Sequence, residues 1–307
     1  MFFSQVPHTI LMVRPASFGY NPETAASNAF QKRSDNESVV QIMARKEFDN
    51  TVEAIVEKGI SVLVVEDTSD PVTTDAIFPN NWITTHEDGR IILYPMMAPS
   101  RRLERRMDIV KQLKENYKVT EVDDISIAES EGRFLEGTGS IIFDHPNKVA
   151  YACRSERTEE ELFISLCTKL GYKPILFGAV DENGLAIYHT NVMMWIGESL
   201  AGICLDSIHD ENDQDLILNQ LAATSRKVIA LSYAQMNAFA GNMFEVKNAN
   251  NDRFLLMSQT AYDALLPGQL SEMEKYVSPM PLDIHTIEES GGGSIRCMVA
   301  GIHLPSK

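Results

Sequence analysis

Cysteine is scarce in this chain: there are four in 307 residues, and no two stand close enough to form a C-x-x-C pair. That spacing speaks against a structural zinc site and for reduced thiols, as in a cytoplasmic enzyme. Long apolar runs are also missing. The apolar share is 44%, ample for a core, but no run approaches the roughly 18 residues that a membrane span needs. No basic stretch leads into an apolar one at the N-terminus, so no signal peptide is expected. Positive charge is in short supply, with 27 Lys and Arg against 43 Asp and Glu and a net charge of −16. Such a surface favours solubility and repels nucleic acid and anionic lipid, and it says nothing about the chemistry. The oligomeric state stays open, a homo-oligomer included. A Gly-rich phosphate loop after the first apolar strand is absent, which argues against an open doubly wound sheet.

What is present is a repeat. Residues 9–15 read as a strand closed by a proline. A helical pattern follows through Val39, Ile42, Met43, Phe48, Val52, Ile55 and Val56, and residues 60–65 form an apolar strand expected to be buried. The pattern strand, strand, helix, strand then recurs. Residues 76–84 and 90–94 pair around Asp88-Gly89, with a helix over 100–116 and a strand at 118–122. Residues 133–143 and 148–153 are followed by helix 158–170 and strand 174–177; 185–196 and 202–205 by helix 212–224 and strand 227–231. Residues 238–246 and 253–258 precede a helix over 258–265 and a weaker strand at 282–285. A last strand after Cys297 is expected to pair back towards the N-terminal module. Such units cannot bury their own faces and must pack against their copies. Length alone allows two domains, but five units with no linker composition predict one α/β domain over 1–307, the modules arranged in a ring around a channel.

If the modules share an axis, equivalent positions face one cavity. Those positions carry Asn80-Asn81, Glu136-Gly137, His189-Thr190-Asn191, Gly241-Asn242 and Cys297. The cysteine follows Gly291-Gly292-Gly293 and stands beside Arg296, where positive charge and backbone N–H groups would favour a thiolate. A glutamate, a histidine and a cysteine in register make a candidate nucleophilic site.

These residues also carry a resemblance. Leu135-Glu136-Gly137-Thr138-Gly139 resembles the E-G-G motif of the arginine deiminase, dimethylargininase and amidinotransferase superfamily, the pentein fold. His189-Thr190-Asn191 resembles its H-x-D or H-x-N motif, and residues 292–298 its terminal G-G-x-x-R-C-M. Residues 75–81, with Asp75 and Phe78, lie where the superfamily has an acidic substrate-binding strand. Ser155-Glu156-Arg157-Thr158 resembles the G-E-R-T segment of arginine deiminases. Arg14-Pro15 with Phe18, Asn21, Thr24, Asn28, Phe30 and Gln31 is similar to the citrulline-utilisation hydrolase branch.

The resemblance implies a pentein-type α/β propeller of five ββαβ modules. It also implies roles: Cys297 as nucleophile at a guanidino or ureido carbon, His189 as general acid and then base, Glu136 holding the histidine and the substrate nitrogens. No metal or organic cofactor is implied. Arg157 would bind a substrate carboxylate; its other reading is a solvated arginine among Glu156, Glu159 and Glu160. Asn81, Asn191, Asp75, Phe78 and Gly137 complete the implied substrate site. Arginine-specific members carry Asp at the positions of Asn81 and Asn191. Amides suit a neutral ureido group better than a guanidinium, because they bring donors and no charge. Thr138 departs from the second glycine of E-G-G. The expected activity is therefore hydrolysis of a linear C–N bond in citrulline or a related amino acid. Amidino transfer, arginine-type deimination and a non-catalytic binding role on the same fold are the alternatives.

Overall fold

The computed structural model describes residues 4–25, 28 and 30–307. Among these residues fifteen strands form five separate three-stranded sheets, with no ladder joining one to the next. In chain order they begin with β1 (Thr9–Arg14), β2 (Ser61–Glu66), β3 (Ile83–Thr85), β4 (Arg90–Leu93) and β5 (Glu121–Asp124). There follow β6 (Ile142–Asp144), β7 (Val149–Cys153), β8 (Lys173–Phe177), β9 (Met194–Ile196) and β10 (Leu200–Ile203). The last are β11 (Lys227–Ala230), β12 (Phe244–Lys247), β13 (Arg253–Ser258), β14 (Ser278–Leu282) and β15 (Ala300–Ile302).

Every sheet has the same topology. A short first strand pairs antiparallel with a second, which pairs in parallel with a third. This holds for β3-β4-β5, β6-β7-β8, β9-β10-β11 and β12-β13-β14. The fifth sheet is split between the chain ends, with β15 antiparallel to β1 and β1 parallel to β2. The parallel step needs a crossover, and a helix supplies it in each module: Glu37–Glu57, Met107–Asn116, Glu160–Leu170, Glu211–Ala223, and the short pair Gln259–Ala264 and Pro267–Met273. Four of these helices start at a side-chain cap, supplied by Asn36, Glu159, Asp210 and Ser258.

Burial falls from the first strand of each sheet to the third. Strands β3, β6 and β9 are buried throughout, whereas β2 is largely half-exposed, with Val64 at 37%. The sequence predicts residues 60–65 as a buried strand; in the fold they form an edge. The strand expected at 282–285 lies instead at Ser278–Leu282, and it contains Pro279 and Pro281. An edge strand tolerates prolines because its outer N–H groups have no ladder to serve.

Two further differences shape the site. The long first strands expected at 76–84, 133–143 and 185–196 are each interrupted by one helical turn: Pro79–Asn81, Gly137–Ser140 and Thr190–Met193. Ile295–Met298 makes the same turn before β15. These turns pack against one another near the axis. Gly137 has φ +47°, and a side chain there would strike the carbonyl oxygens of Asn80 and Asn81; Gly241 lies as tightly against the Val192 carbonyl. Thr138 is not in the left-handed region, and its Oγ1 donates to the Asn80 carbonyl at 3.2 Å. The missing motif glycine is therefore accommodated. The helix expected over 100–116 is likewise broken into Pro99–Arg102 and Met107–Asn116, which frees Arg101 and Glu104 to turn inward.

Candidate active site

The helical turns bring together side chains that lie far apart in sequence. Glu136 caps the turn Gly137–Ser140 and is fully buried. Its backbone N–H donates to Ser140 Oγ (3.0 Å), which itself donates to the Arg157 carbonyl (2.7 Å). Thr190 Oγ1 donates to the Ser140 carbonyl at 2.6 Å and accepts from the Cys153 N–H at 2.8 Å. The histidine turn is thereby pinned to the glutamate turn. His189 Nε2 lies 2.8 Å from Glu136 Oε2, and Glu136 Oε1 accepts from the Met97 N–H at 2.9 Å.

Burial pushes the Glu136 carboxyl up, but Arg157, His189 and Arg101 outweigh it and hold it at about 2. Burial pushes His189 down to about 4, against the pull of Glu136. At neutral pH the pair is thus a carboxylate and a neutral imidazole. The carboxylate fixes the proton on Nε2 and leaves Nδ1 as the basic nitrogen.

Cys297 sits in the turn Ile295–Met298 and is mostly buried. The sequence expectation was a thiol served by Arg296 and by N–H groups of the glycine run. The structure brings two side-chain amides to the thiol and leaves Arg296 acting on it through charge alone. Asn191 Nδ2 and Asn242 Nδ2 each approach Sγ to 3.4 Å. Asn242 Oδ1 accepts from the Arg296 N–H at 3.0 Å, and its Nδ2 also donates to the Asn191 carbonyl at 2.9 Å, which fixes the amide orientation. The glycine run instead presents carbonyls: Gly291 accepts from Gln31 Nε2 (2.9 Å), and Gly292 from Asn28 Nδ2 (3.2 Å) and Tyr188 Oη (3.3 Å). The Arg296 side chain points elsewhere, with Nη1 donating to the Val299 carbonyl at 2.9 Å.

A narrow recess, open in part to solvent, is bounded by Asp75, Phe78, Asn81, Arg157, His189 and Cys297, among others. Arg157 is no solvated surface residue; it is 2% exposed. Its Nη1 lies 3.5 Å from Glu136 Oε2, its Nη2 donates to the Thr24 carbonyl at 3.1 Å, and its guanidinium stacks 5.0 Å from the Tyr188 ring centre. Asp75 Oδ2 accepts from Asn21 Nδ2 (2.8 Å) and Thr24 Oγ1 (3.3 Å), and burial raises its pKa. Asn81 Oδ1 accepts from Arg101 Nη1 at 2.7 Å, while its buried Nδ2 has no hydrogen-bond partner among the described residues. Gly137 serves the site through its backbone contact with Asn80 and Asn81 and does not line the recess.

Of the opening segment, Asn21, Thr24, Asn28 and Gln31 join the site. Arg14 does not: its guanidinium pairs with Asp49 (2.6 Å) and Glu66 (3.3 Å) at the surface. Arg101 and Tyr188 were not identified as site residues from sequence; Asn242 was expected to face the cavity, and the structure adds that its amide meets the thiol. Arg101 is one of four arginines in residues 101–106, and nothing local distinguishes it from a solvated helix face. In the fold it bonds Asn81 and Glu104 and lies 3.7 Å from Asp75.

The family described as N,N dimethylarginine dimethylhydrolase, eukaryotic, matches residues 14–304. The chain belongs to this family. It is therefore a member of the pentein superfamily. A comparison with curated proteins finds no match. Solved structures of the same fold include the substrate-bound N-terminal domain of ArgZ, an arginine dihydrolase from the ornithine–ammonia cycle in cyanobacteria. It has 14% identity and TM-score 0.74, with 97% of this chain and 98% of that one covered. Unliganded AgrE gives 15% identity and TM-score 0.75. A dimethylarginine dimethylaminohydrolase adduct with S-methyl-L-thiocitrulline gives 13% and 0.65, covering 98% and 99%. This chain spans about two fifths of full-length ArgZ (41%) and AgrE (40%). Among the described residues no helix is long and apolar enough to cross a membrane.

Proposed function

We propose that the chain hydrolyses the ureido group of an amino acid such as citrulline, giving ornithine, ammonia and carbon dioxide through a covalent adduct on Cys297. One observation carries this reading: the side chains that approach Sγ are neutral amides, and the recess carboxylates already have cationic neighbours. Glu136 faces Arg157, and Asp75 faces Arg101. A guanidinium would compete for carboxylates that are engaged, whereas a ureido oxygen can accept from Asn81 Nδ2 at no cost in charge.

In this mechanism Cys297 gives its proton to the basic nitrogen of His189, and Sγ attacks the ureido carbon. The S–C bond forms as the carbonyl π pair moves to oxygen, where amide donors stabilise it. The oxyanion collapses, the C–N bond breaks, and the imidazolium protonates the leaving amine. His189 then takes a proton from water, the hydroxide adds to the S-carbamoyl carbon, and the thiolate leaves. The released carbamate falls apart to ammonia and carbon dioxide. Arg157, stacked on Tyr188, would take the substrate α-carboxylate, with Phe78 and Asp75 framing the chain and the amino group.

A second reading is favoured by Asp75 Oδ1, which is buried and has no hydrogen-bond partner among the described residues. It is an acceptor for a guanidinium, and the structural relatives that are an arginine dihydrolase and a dimethylarginine dimethylaminohydrolase agree with it. The covalent step is tested by acid quench during turnover of citrulline and mass analysis of the Cys297 peptide. A carbamoyl adduct supports the proposal. Steady turnover with an unmodified peptide, after quench times that catch other substrates, would refute it.

A further inference from the structure

At the far ends of the same inner strands lies a second, small cavity of about 40 Å³, partly open to solvent. Strands β3, β6, β9, β12 and β15 all line it, and its polar wall is formed by Thr85, His145, Arg296 and His303. The recess at Cys297 is lined by residues that precede those strands, so the two spaces lie at opposite ends of one bundle of strands.

Four arginines in the described chain are buried: Arg101, Arg157, Arg226 and Arg296. Three have a carboxylate within ion-pair distance. Arg101 meets Glu104 at 3.0 Å, Arg157 meets Glu136 at 3.5 Å, and Arg226 meets Asp144 at 3.1 Å. Arg296, only 8% exposed, has none among the described residues. Its guanidinium has one hydrogen bond, to the Val299 carbonyl, and lies 4.4 Å from the Phe244 ring centre. A carbonyl and an aromatic face offset part of the cost of burying a cation, but not the loss of a counter-charge.

The surroundings deepen the imbalance. His145 and His303 lie with ring centres 4.2 Å apart and planes tilted by 42°, and His86 lies 6.1 Å from His145. Burial keeps all three neutral at pH 7, so they offer N–H donors without adding charge. Lys247 acts on His303 electrostatically and is held by Ser4 Oγ at 3.0 Å. The acids near this end are engaged: Asp88 with Arg90, and Glu87 with the Ser4 N–H. No metal-binding group of three or more His, Cys, Asp or Glu side chains occurs among the described residues, and Arg296 would repel a cation. In a chain of net charge −16, this is an inward-facing cation with no carboxylate partner among the described residues; Cys297 is the acid that acts on it electrostatically.

We infer that this rear cavity binds one small inorganic anion of halide size, held by Arg296 with N–H donors from the His145 and His303 side. The site is separate from the reaction, and its test needs no substrate. Thermal unfolding is followed at constant ionic strength while chloride replaces gluconate, which is too large to enter. Binding to the folded state alone raises the midpoint in proportion to the logarithm of chloride once the site fills, by several degrees across a hundredfold range. Arg296→Met keeps the length and removes the charge, and the chloride response should vanish. Crystals of the wild type soaked in bromide provide the second measurement, which does not depend on the variant folding. An anomalous peak between Arg296 and His303 is expected. Equal midpoints in chloride and gluconate, a chloride response that survives in Arg296→Met, or no bromide peak at Arg296 would each overturn the inference.

Discussion

The two ends of the inner strands solve the problem of buried charge in different ways. At the Cys297 end, Arg101 and Arg157 are balanced inside the protein by Glu104, Asp75 and Glu136. At the rear, Arg296 has no carboxylate and stands among neutral histidines. Balanced charge makes a site that can receive a neutral group without a large electrostatic change; unbalanced charge makes one that calls for an anion. The difference teaches that the presence of arginines alone does not set what a pocket binds. Their internal partners do.

The largest effect is expected where chemistry and packing separate most cleanly. Cys297→Ala should lower turnover to below about a hundredth of wild type, while the circular dichroism spectrum and unfolding midpoint stay close to wild type. Residual activity above that level would leave the thiol without a nucleophilic role. The double variant Asn81→Asp, Asn191→Asp breaks the charge balance at the front. It puts carboxylates beside the reacting carbon and takes away the amide 3.4 Å from Sγ. The preference for citrulline over arginine should shift towards arginine by about ten- to a hundredfold, the range of one charge-assisted hydrogen bond. An unchanged ratio of kcat/KM values would show that these amides do not select the substrate.

A smaller effect is expected at Arg157. Lysine keeps the charge but loses the planar fork that can meet a carboxylate and stack on Tyr188. KM should rise about tenfold with a smaller change in kcat, and an unchanged KM would confine Arg157 to supporting Glu136.

The last prediction sharpens the comparison through pH. Burial holds His86 at about 3, His303 at about 4 and His145 well below 6.5, and His189 at the front lies at about 4. A histidine depressed in the folded state lets the unfolded chain bind the extra proton. Its stability contribution is therefore full above pH 6.5 and lost as pH falls towards 4, at about 1.4 kcal/mol per unit for each group. The rear supplies three such groups and the front one. Acid inactivation should therefore follow unfolding and not the titration of His189. The double variant His145→Gln, His303→Gln should move the acid unfolding midpoint to lower pH, as measured by fluorescence against pH.

Much of this was legible in the sequence, and the reasons are physical. The period of strand, strand, helix, strand is carried by apolar patterning, so the five modules and the pairing of β15 with β1 could be read directly. Glu136, His189, Asn191 and Cys297 stood out because polar residues interrupt apolar stretches at equivalent points. The one-turn helices at those points could not be read, since they depend on contacts between modules, such as Gly137 against Asn80 and Asn81. Arg101 was hidden for the same reason: a break in a charged helix turns it inward, and no local pattern marks that break. Arg296 was read as a neighbour of the thiol because it is next in sequence. In a tight turn, successive side chains leave in different directions, and it faces the other end of the strands.

The central claim is that the site is built for a neutral ureido group, and one comparison tests it most directly. Values of kcat/KM for citrulline, arginine and a dimethylarginine should be measured on the same purified protein in one buffer, with ornithine and ammonia quantified as products. The account predicts that citrulline is preferred by about tenfold or more, the scale of one hydrogen-bonded discrimination, and yields ornithine and ammonia. Preference for arginine or dimethylarginine over citrulline would contradict it and leave Asp75 Oδ1 as the group that selects the substrate.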